Sequence, residues 1–178
     1  AERVVLAGIG TSWHATLVGE LLLAHVGRLG HRVRAFHSFE LVNSWPDVGR
    51  ETGVVVVSHR GTKRYSLEAI QRVKASGGVG VAITGKGSGD GLAVADFILR
   101  TVDQEPSSAH TISYTCAVAL LAALAGRIGG DADLPALYAL MARYHELPMD
   151  FADATRVHLA RRESLSTVEI SQRSRRIQ

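Results

Sequence analysis

In Val54-Val55-Val56-Val57 four consecutive β-branched residues run from Gly53 straight into the polar group Ser58-His59-Arg60-Gly61-Thr62-Lys63. A half-buried strand alternates apolar and polar positions, whereas an unalternating β-branched run suits a parallel strand covered on both faces. Behind the polar group Leu67, Ile70 and Val73 recur at helical spacing up to Gly77-Gly78, so the chain leaves this strand through a loop and continues into a helix. The same unit stands upstream: Val4-Val5-Leu6-Ala7 ends in Gly8-Ile9-Gly10-Thr11-Ser12, and Trp13, Leu17, Val18, Leu21 and Leu22 mark a helix as far as Gly27. Between the two units Val33 to Phe36 reads as a short strand, and Ser38-Phe39-Glu40-Leu41 as a loop or brief helical turn before Trp45-Pro46.

Downstream, Val79-Gly80-Val81-Ala82-Ile83 and Phe97-Ile98-Leu99 supply two more strands, separated by the turn Gly85-Lys86-Gly87-Ser88-Gly89-Asp90-Gly91. Alternating strands and helices define an α/β domain, and right-handed crossovers put helices on both faces of the sheet. The expected architecture is a three-layer α-β-α sandwich with a mainly parallel five-stranded sheet, plus C-terminal helices. The first of these runs from Ser107 to Arg127, nearly all apolar and read as buried all round against the core and a partner. Helices from about Leu134 to His145 and over 150–163 follow, and then a polar tail carrying Arg173, Arg175 and Arg176.

The chain has 178 residues, 46% of them apolar, and 20 Lys and Arg against 17 Asp and Glu, a formal net charge of +3. At that length folding removes roughly 70% of the surface from water, so no disulfide or metal staple is needed. The one cysteine, Cys116, cannot form an internal disulfide, which fits a reducing, cytoplasmic setting; it reads as a small buried hydrophobe. The eight histidines include no His-x-His or His-Glu-x-x-His spacing, and neither a metal nor another cofactor is expected. A pI near 9.4 rests on that small surplus of charge, with acidic residues scattered throughout, so no nucleic-acid partner is expected. The apolar run from Ala117 to Ala125 falls short of the roughly 20 residues of a membrane span, and no membrane or secretory role is expected.

In an open α/β sheet the ligand crevice lies beyond the carboxyl ends of the strands where strand order reverses, which directs attention to the loops after the first and third strands. Gly8 to Ser12 combines glycines with two hydroxyls at a helix start, where free N–H groups and the positive dipole end favour an anion; the alternative is that Thr11 or Ser12 only caps the helix. Ser58 to Lys63 adds a guanidinium and an ammonium to its hydroxyls, a set suited to a phosphate monoester, or else a solvated basic turn. Trp13 stands where a dinucleotide fingerprint has its third glycine and no Gly-Lys-Ser/Thr follows, so those two nucleotide classes are excluded.

Gly8-Ile9-Gly10-Thr11-Ser12-Trp13-His14, Ser38-Phe39-Glu40-Leu41, Ser58-His59-Arg60-Gly61-Thr62-Lys63 and Glu105-Pro106-Ser107-Ser108-Ala109-His110-Thr111 resemble, in order and spacing, the Gly-x-Gly-Thr-Ser-Tyr, Ala-Ser-Glu-Phe, Ser-Gln-Ser-Gly-Glu-Thr and Glu-Ile-Gly-Val-Ala-Ser-Thr elements of the sugar isomerase (SIS) domain family. The resemblance covers about residues 1–130 and is nearest to the first SIS domain in the isomerase half of glucosamine-6-phosphate synthases. It implies a flavodoxin-like SIS domain over 1–130, a helical connector or dimerisation segment over 131–163 and a polar tail over 164–178. It also implies that Gly10, Thr11, Ser12, Ser58, His59, Arg60, Gly61, Lys63 and Ser108 bind the phosphorylated sugar. The departures are Arg60 and Lys63 in place of hydroxyls, Thr62 in place of a glutamate and Ile112 in place of a lysine.

Aldose–ketose isomerisation needs a base to move a proton between adjacent carbons and an acid to open the ring. The resemblance places most of those groups in a second SIS domain, so the partner expected beside the phosphosugar is a second copy of the chain or a second SIS domain. Within the chain, Glu105 is the candidate base and His110 the candidate acid, while His59 is read as a ligand and His14 as packing. The function implied is phosphosugar binding, as part of an aldose–ketose isomerase or of the isomerase region of a glucosamine-6-phosphate synthase-like protein. The alternative is a non-catalytic phosphosugar-sensing module; Ser12, Ser58 and Gly61 argue against a decayed pocket. No glutaminase nucleophile is expected, since no cysteine precedes Cys116. The glycine-rich stretch from Gly85 to Gly91 reads as a flexible connector.

Overall fold

The computed structural model describes residues 1–44, 47–105 and 110–130. The expected connector over 131–163, the tail over 164–178, the C-terminal helices after Arg127's helix, and Ser108 lie outside the described residues. The strands are β1 (Arg3–Gly8), β2 (Val33–His37), β3 (Thr52–Val57), β4 (Val79–Lys86) and β5 (Phe97–Asp103), and the helices α1 (Thr11–His25), α2 (Ser38–Ser44), α3 (Arg64–Ala75) and α4 (Thr111–Gly129). All neighbouring strands pair in parallel, in the order β2-β1-β3-β4-β5. That is the flavodoxin-like arrangement, with its switch point between β1 and β3.

The run that opened the sequence is buried at every position of β3. Its side chains alternate between two cores, because successive Cβ atoms on a strand point to opposite faces. Val54 and Val56 pack with Val5, Ala7, Leu41, Ile70 and Val73 under α2 and α3. Val55 and Val57 pack with Leu6, Leu23, Ile83 and Leu121 under α1 and α4. The sandwich therefore has the three layers expected. At Gly19 α1 comes so close to its neighbours that a Cβ would lie 2.8 Å from Leu121 Cδ1.

Two local readings need correction. Ser38 to Leu41 is the start of a true helix, α2: Glu40 Oε2 accepts the His37 N–H at 3.3 Å, and Ser38 is fully buried with its hydroxyl 3.3 Å from that of Ser66. Within this chain alone helix α4 is buried on one side only, since Ala117, Leu121 and Ala125 face the core while Ile112 and Ile128 are exposed. By length and composition α4 could cross a membrane, but here it packs on α1 and the sheet.

The second correction concerns the stretch from Gly85 to Gly91, which is fastened rather than loose. Strand β4 runs through Lys86, Arg100 Nη1 donates to Gly85 O at 3.1 Å and to Ser88 Oγ, and Gly89 N–H donates to Arg60 O at 3.4 Å. A 3₁₀ turn, Asp90–Leu92, takes the place of a helix in this crossover, and its Leu92 joins the α2/α3 core.

Candidate functional site

At the switch point the loops after β1 and β3 diverge and leave a cleft of about 260 Å³, walled by Gly10, Thr11, Ser12, Ser58, His59, Arg60, Lys63, Ser66 and His110. Every proposed site residue within the described residues lines this cleft except Gly61 and Glu105, which stand immediately behind it. Among the described residues no carboxylate is in the wall.

The first loop is shaped by glycine. Gly10 has φ 61 and ψ −128, a conformation that a side chain strongly disfavours, and a Cβ on Gly8 would come within 2.5 Å of the Ser12 backbone. Gly10 O accepts the first bonds of α1, from Trp13 N–H at 2.9 Å and His14 N–H at 3.2 Å. Thr11 and Ser12 are the first residues of the helix rather than its cap, and no side chain caps this terminus. Its first amides are thus available to an anion. His14, one position further on, is exposed and not packed as expected.

The second loop repeats the device. Ser58 is buried at the end of β3, its N–H held by Ile83 O at 2.9 Å, and Gly61 turns the chain at φ +65 with a Cβ position 3.3 Å from Gly89 O. Helix α3 starts after Lys63, again without a side-chain cap. Arg60 and Lys63 are exposed, and neither has an ion-pair partner among the described residues. Ser66, in the first turn of α3, is fully buried and reaches the cleft wall. It was missed in the sequence, although a serine in register with Ile70 and Val73 on the buried stripe of a helix is a legible signal.

His59 lines the cleft, and its ring is joined to Glu105 behind it. The His59 Nε2 accepts the Glu105 N–H at 3.2 Å, and Glu105 uses both carboxylate oxygens on the start of α4: Oε1 accepts Ile112 N–H at 3.4 Å, and Oε2 accepts Ser113 N–H at 3.0 Å and Ser113 Oγ–H at 2.9 Å. Burial works to raise the Glu105 pKa, but those bonds from Ser113 and Ile112, with the charge of His110, hold it below the usual carboxylate value. An ionised carboxylate committed to a helix terminus is a poor proton shuttle. Burial is the largest influence on His59 and lowers its pKa; Glu105 opposes this, while His110 and Arg60 reinforce it.

His110 takes the left-handed conformation at φ 52, directly before α4, with its ring 6.4 Å from that of His59. The Nδ1 atoms of both rings are buried without a hydrogen-bond partner among the described residues. Beside His59 a water-sized void of about 10 Å³ is lined further by Thr84, Thr101, Ser113 and Tyr114. Cys116, on the next turn of α4, is half-buried, and burial followed by the Glu105 charge pushes its thiol up to about 11.

Residues 1–127 match the SIS domain family. The chain belongs to that family. As an SIS domain it is 32% identical over 83 residues to glutamine–fructose-6-phosphate aminotransferase (isomerizing) of Chlorobaculum tepidum, covering 47% of this chain and 13% of that protein. It is 30% identical over 126 residues to the protein of the same name from Shouchella clausii, covering 70% and 21%. The SIS chain thus spans at most about a fifth of these two curated relatives (21% of the longer match). In three dimensions it is similar to a candidate phosphosugar isomerase from Silicibacter pomeroyi, with a TM-score of 0.65 at 18% identity over 79% of this chain and 43% of the other, a likeness of fold.

Proposed function

We propose that the cleft binds a phosphorylated sugar by its phosphate, and that the chain serves as a phosphosugar-binding part of an isomerase, such as the isomerase region of a glutamine–fructose-6-phosphate aminotransferase-like protein. One observation carries this: two helix starts, at Thr11 and Arg64, open on one cleft with the cations Arg60 and Lys63, and among the described residues neither start has a side-chain cap and the cleft has no opposing carboxylate. Helix-start amides, hydroxyls and cations together match the charge and the acceptor oxygens of a phosphate monoester. In this reading Thr11, Ser12, Ser58, Arg60 and Lys63 are the phosphate ligands, Gly10 and Gly61 shape their loops, and His110 and Ser108 are assigned to the sugar. The likeness to glutamine–fructose-6-phosphate aminotransferases favours a hexose 6-phosphate or amino-sugar phosphate.

A ligand that binds only the folded state raises its stability by RT ln(1 + [L]/Kd), about 2.7 kcal/mol at a hundredfold excess over Kd. Titration with fructose 6-phosphate, glucosamine 6-phosphate and inorganic phosphate should raise the Tm, most with a sugar phosphate. No shift with any of them would overturn the proposal.

A second reading, a phosphosugar-sensing module without catalysis, is favoured by the commitment of Glu105 to α4, which leaves the described cleft without a carboxylate base. An isomerase then completes its site with groups from a second copy or a second SIS domain. A sugar-phosphate Tm shift without aldose–ketose turnover by the chain supports sensing or an incomplete site; turnover excludes the sensing reading. The setting proposed for either is cytoplasmic.

A further inference from the structure

His59 is fastened to the sheet at both its ends. Its carbonyl oxygen accepts bonds from Gly85 N–H at 2.9 Å, Thr84 Oγ1 at 3.2 Å and Gln104 Nε2 at 3.0 Å. Its ring lies against Gly85, where a Cβ would come within 2.6 Å of Cε1, so only a glycine leaves room for it. The Nε2 then receives the Glu105 N–H at 3.2 Å, and the Glu105 carboxylate holds the first turn of α4 through Ile112 and Ser113.

The geometry points to His59 as a positioning residue: its neutral imidazole holds Glu105 on the first turn of α4 and so couples the anion loop after β3 to the His110 side of the cleft. The consequence for ligand binding rests on the proposed phosphosugar site, whereas the linkage itself is a property of the ligand-free protein.

A neutral imidazole has one donor and one acceptor nitrogen. With Nε2 accepting from Glu105, the proton resides on Nδ1. Protonation of the ring would put a second N–H on Nε2 facing the Glu105 N–H, donor against donor, and the link would be lost. The groups that bear on this titration come from each surrounding element. Glu105, after β5, favours the cation; His110, at the start of α4, and Arg60, in the same loop, disfavour it, as does burial. Lys63 shares the cleft wall and Tyr114 lines the void beside the ring; from the sheet, Thr84, Gly85, Thr101 and, just after β5, Gln104 are uncharged, and the Arg100 guanidinium of β5 is held on Gly85 O at 3.1 Å. At neutral pH the link is therefore closed. A histidine kept only for its bulk would show none of this dependence.

The test reads the backbone amides of Ile112 and Ser113 by hydrogen exchange in the ligand-free chain, corrected for intrinsic exchange, between about pH 5 and 8, where an imidazole titrates. In the wild type their protection should fall roughly three- to tenfold, the worth of one net hydrogen bond, as His59 becomes charged. In His59→Gln, whose amide oxygen can accept the Glu105 N–H but does not titrate, protection should persist across that range. In His59→Leu it should be low throughout. Equal protection in His59→Leu and the wild type, or the same pH profile in the wild type and His59→Gln, would overturn the inference. Should His59→Leu not fold, the comparison of the wild type with His59→Gln still decides. Tm titration of the same proteins with fructose 6-phosphate and inorganic phosphate separates the two claims: an intact link with no Tm shift sinks the proposed ligand and leaves the link standing.

Discussion

Glu105 Oε2 accepts both the backbone N–H and the hydroxyl of Ser113, at 3.0 and 2.9 Å, so one carboxylate serves as a cap supplied to α4 from the end of β5. Loss of a side-chain cap costs about 0.5–2 kcal/mol, and Glu105→Ala should lower the unfolding free energy by about that amount in urea melts near neutral pH. The pH sign follows from the lowered pKa. The contribution is complete above the ordinary carboxylate value of 4.5 and disappears as pH falls through the lower value of the folded state. The gap between wild type and variant should close in acid; a constant gap would show that the charge is not responsible.

Gly10→Ala tests the first loop. Nothing lies within 4 Å of the added Cβ, so the whole effect is backbone strain at φ +61, about 1–3 kcal/mol. It should also displace the amides of Thr11 and Ser12 and weaken phosphate binding. Gly49 has equally open space without a positive φ, and Gly49→Ala should alter stability by no more than about 0.5 kcal/mol and leave binding unchanged. Similar binding in both variants would argue against a role for the α1 amides.

The double variant Ser58→Ala, Arg60→Ala should bind a phosphosugar more weakly, without any matching change in affinity for the unphosphorylated sugar. Calorimetric titration decides it, and retained phosphosugar affinity would remove the second loop from the site. Because Arg60 is exposed, the wild-type affinity should also fall with added salt.

Cys116 should be slow to alkylate. The thiolate is the reactive form, and a thiol pushed up to about 11 holds little of it near pH 8. Iodoacetamide should therefore modify the native chain on the order of a hundredfold more slowly than the chain in urea. Equal rates would mean that α4 does not bury this position in solution.

The fold was legible because its signals are local and redundant. Four valines in a row admit few alternatives, and the two cores they feed follow from the strand period of two. Thr11, Ser12, Ser58, Arg60 and Lys63 were legible as cleft residues for a related reason, since topology alone carries both loops to one sheet edge. What was not legible depends on contacts between residues far apart in the chain. Glu105 looks like a solvated loop carboxylate until α4 is placed above it, and nothing local announces that Gly85 and Glu105 close around the His59 ring. The α2 helix is the same case, because the burial of Leu41 and Val42 in the core shared with β1, β3 and α3 shows only once those distant elements are in place.

The pairing of β1 with β3 sets Arg3 opposite Thr52 and Ala7 opposite Val56, with all of β2 in the intervening chain. Contacts so distant along the chain form only after a long loop has been closed, which slows folding relative to a helical bundle. The two anion loops are brought together by that pairing and by nothing earlier. A partly folded chain with only its helices and β1–β2 formed therefore has half a cleft and holds phosphate weakly. Recovery of phosphosugar binding during refolding would time the docking of β3 on β1, which makes the ligand a clock for the assembly of the sheet.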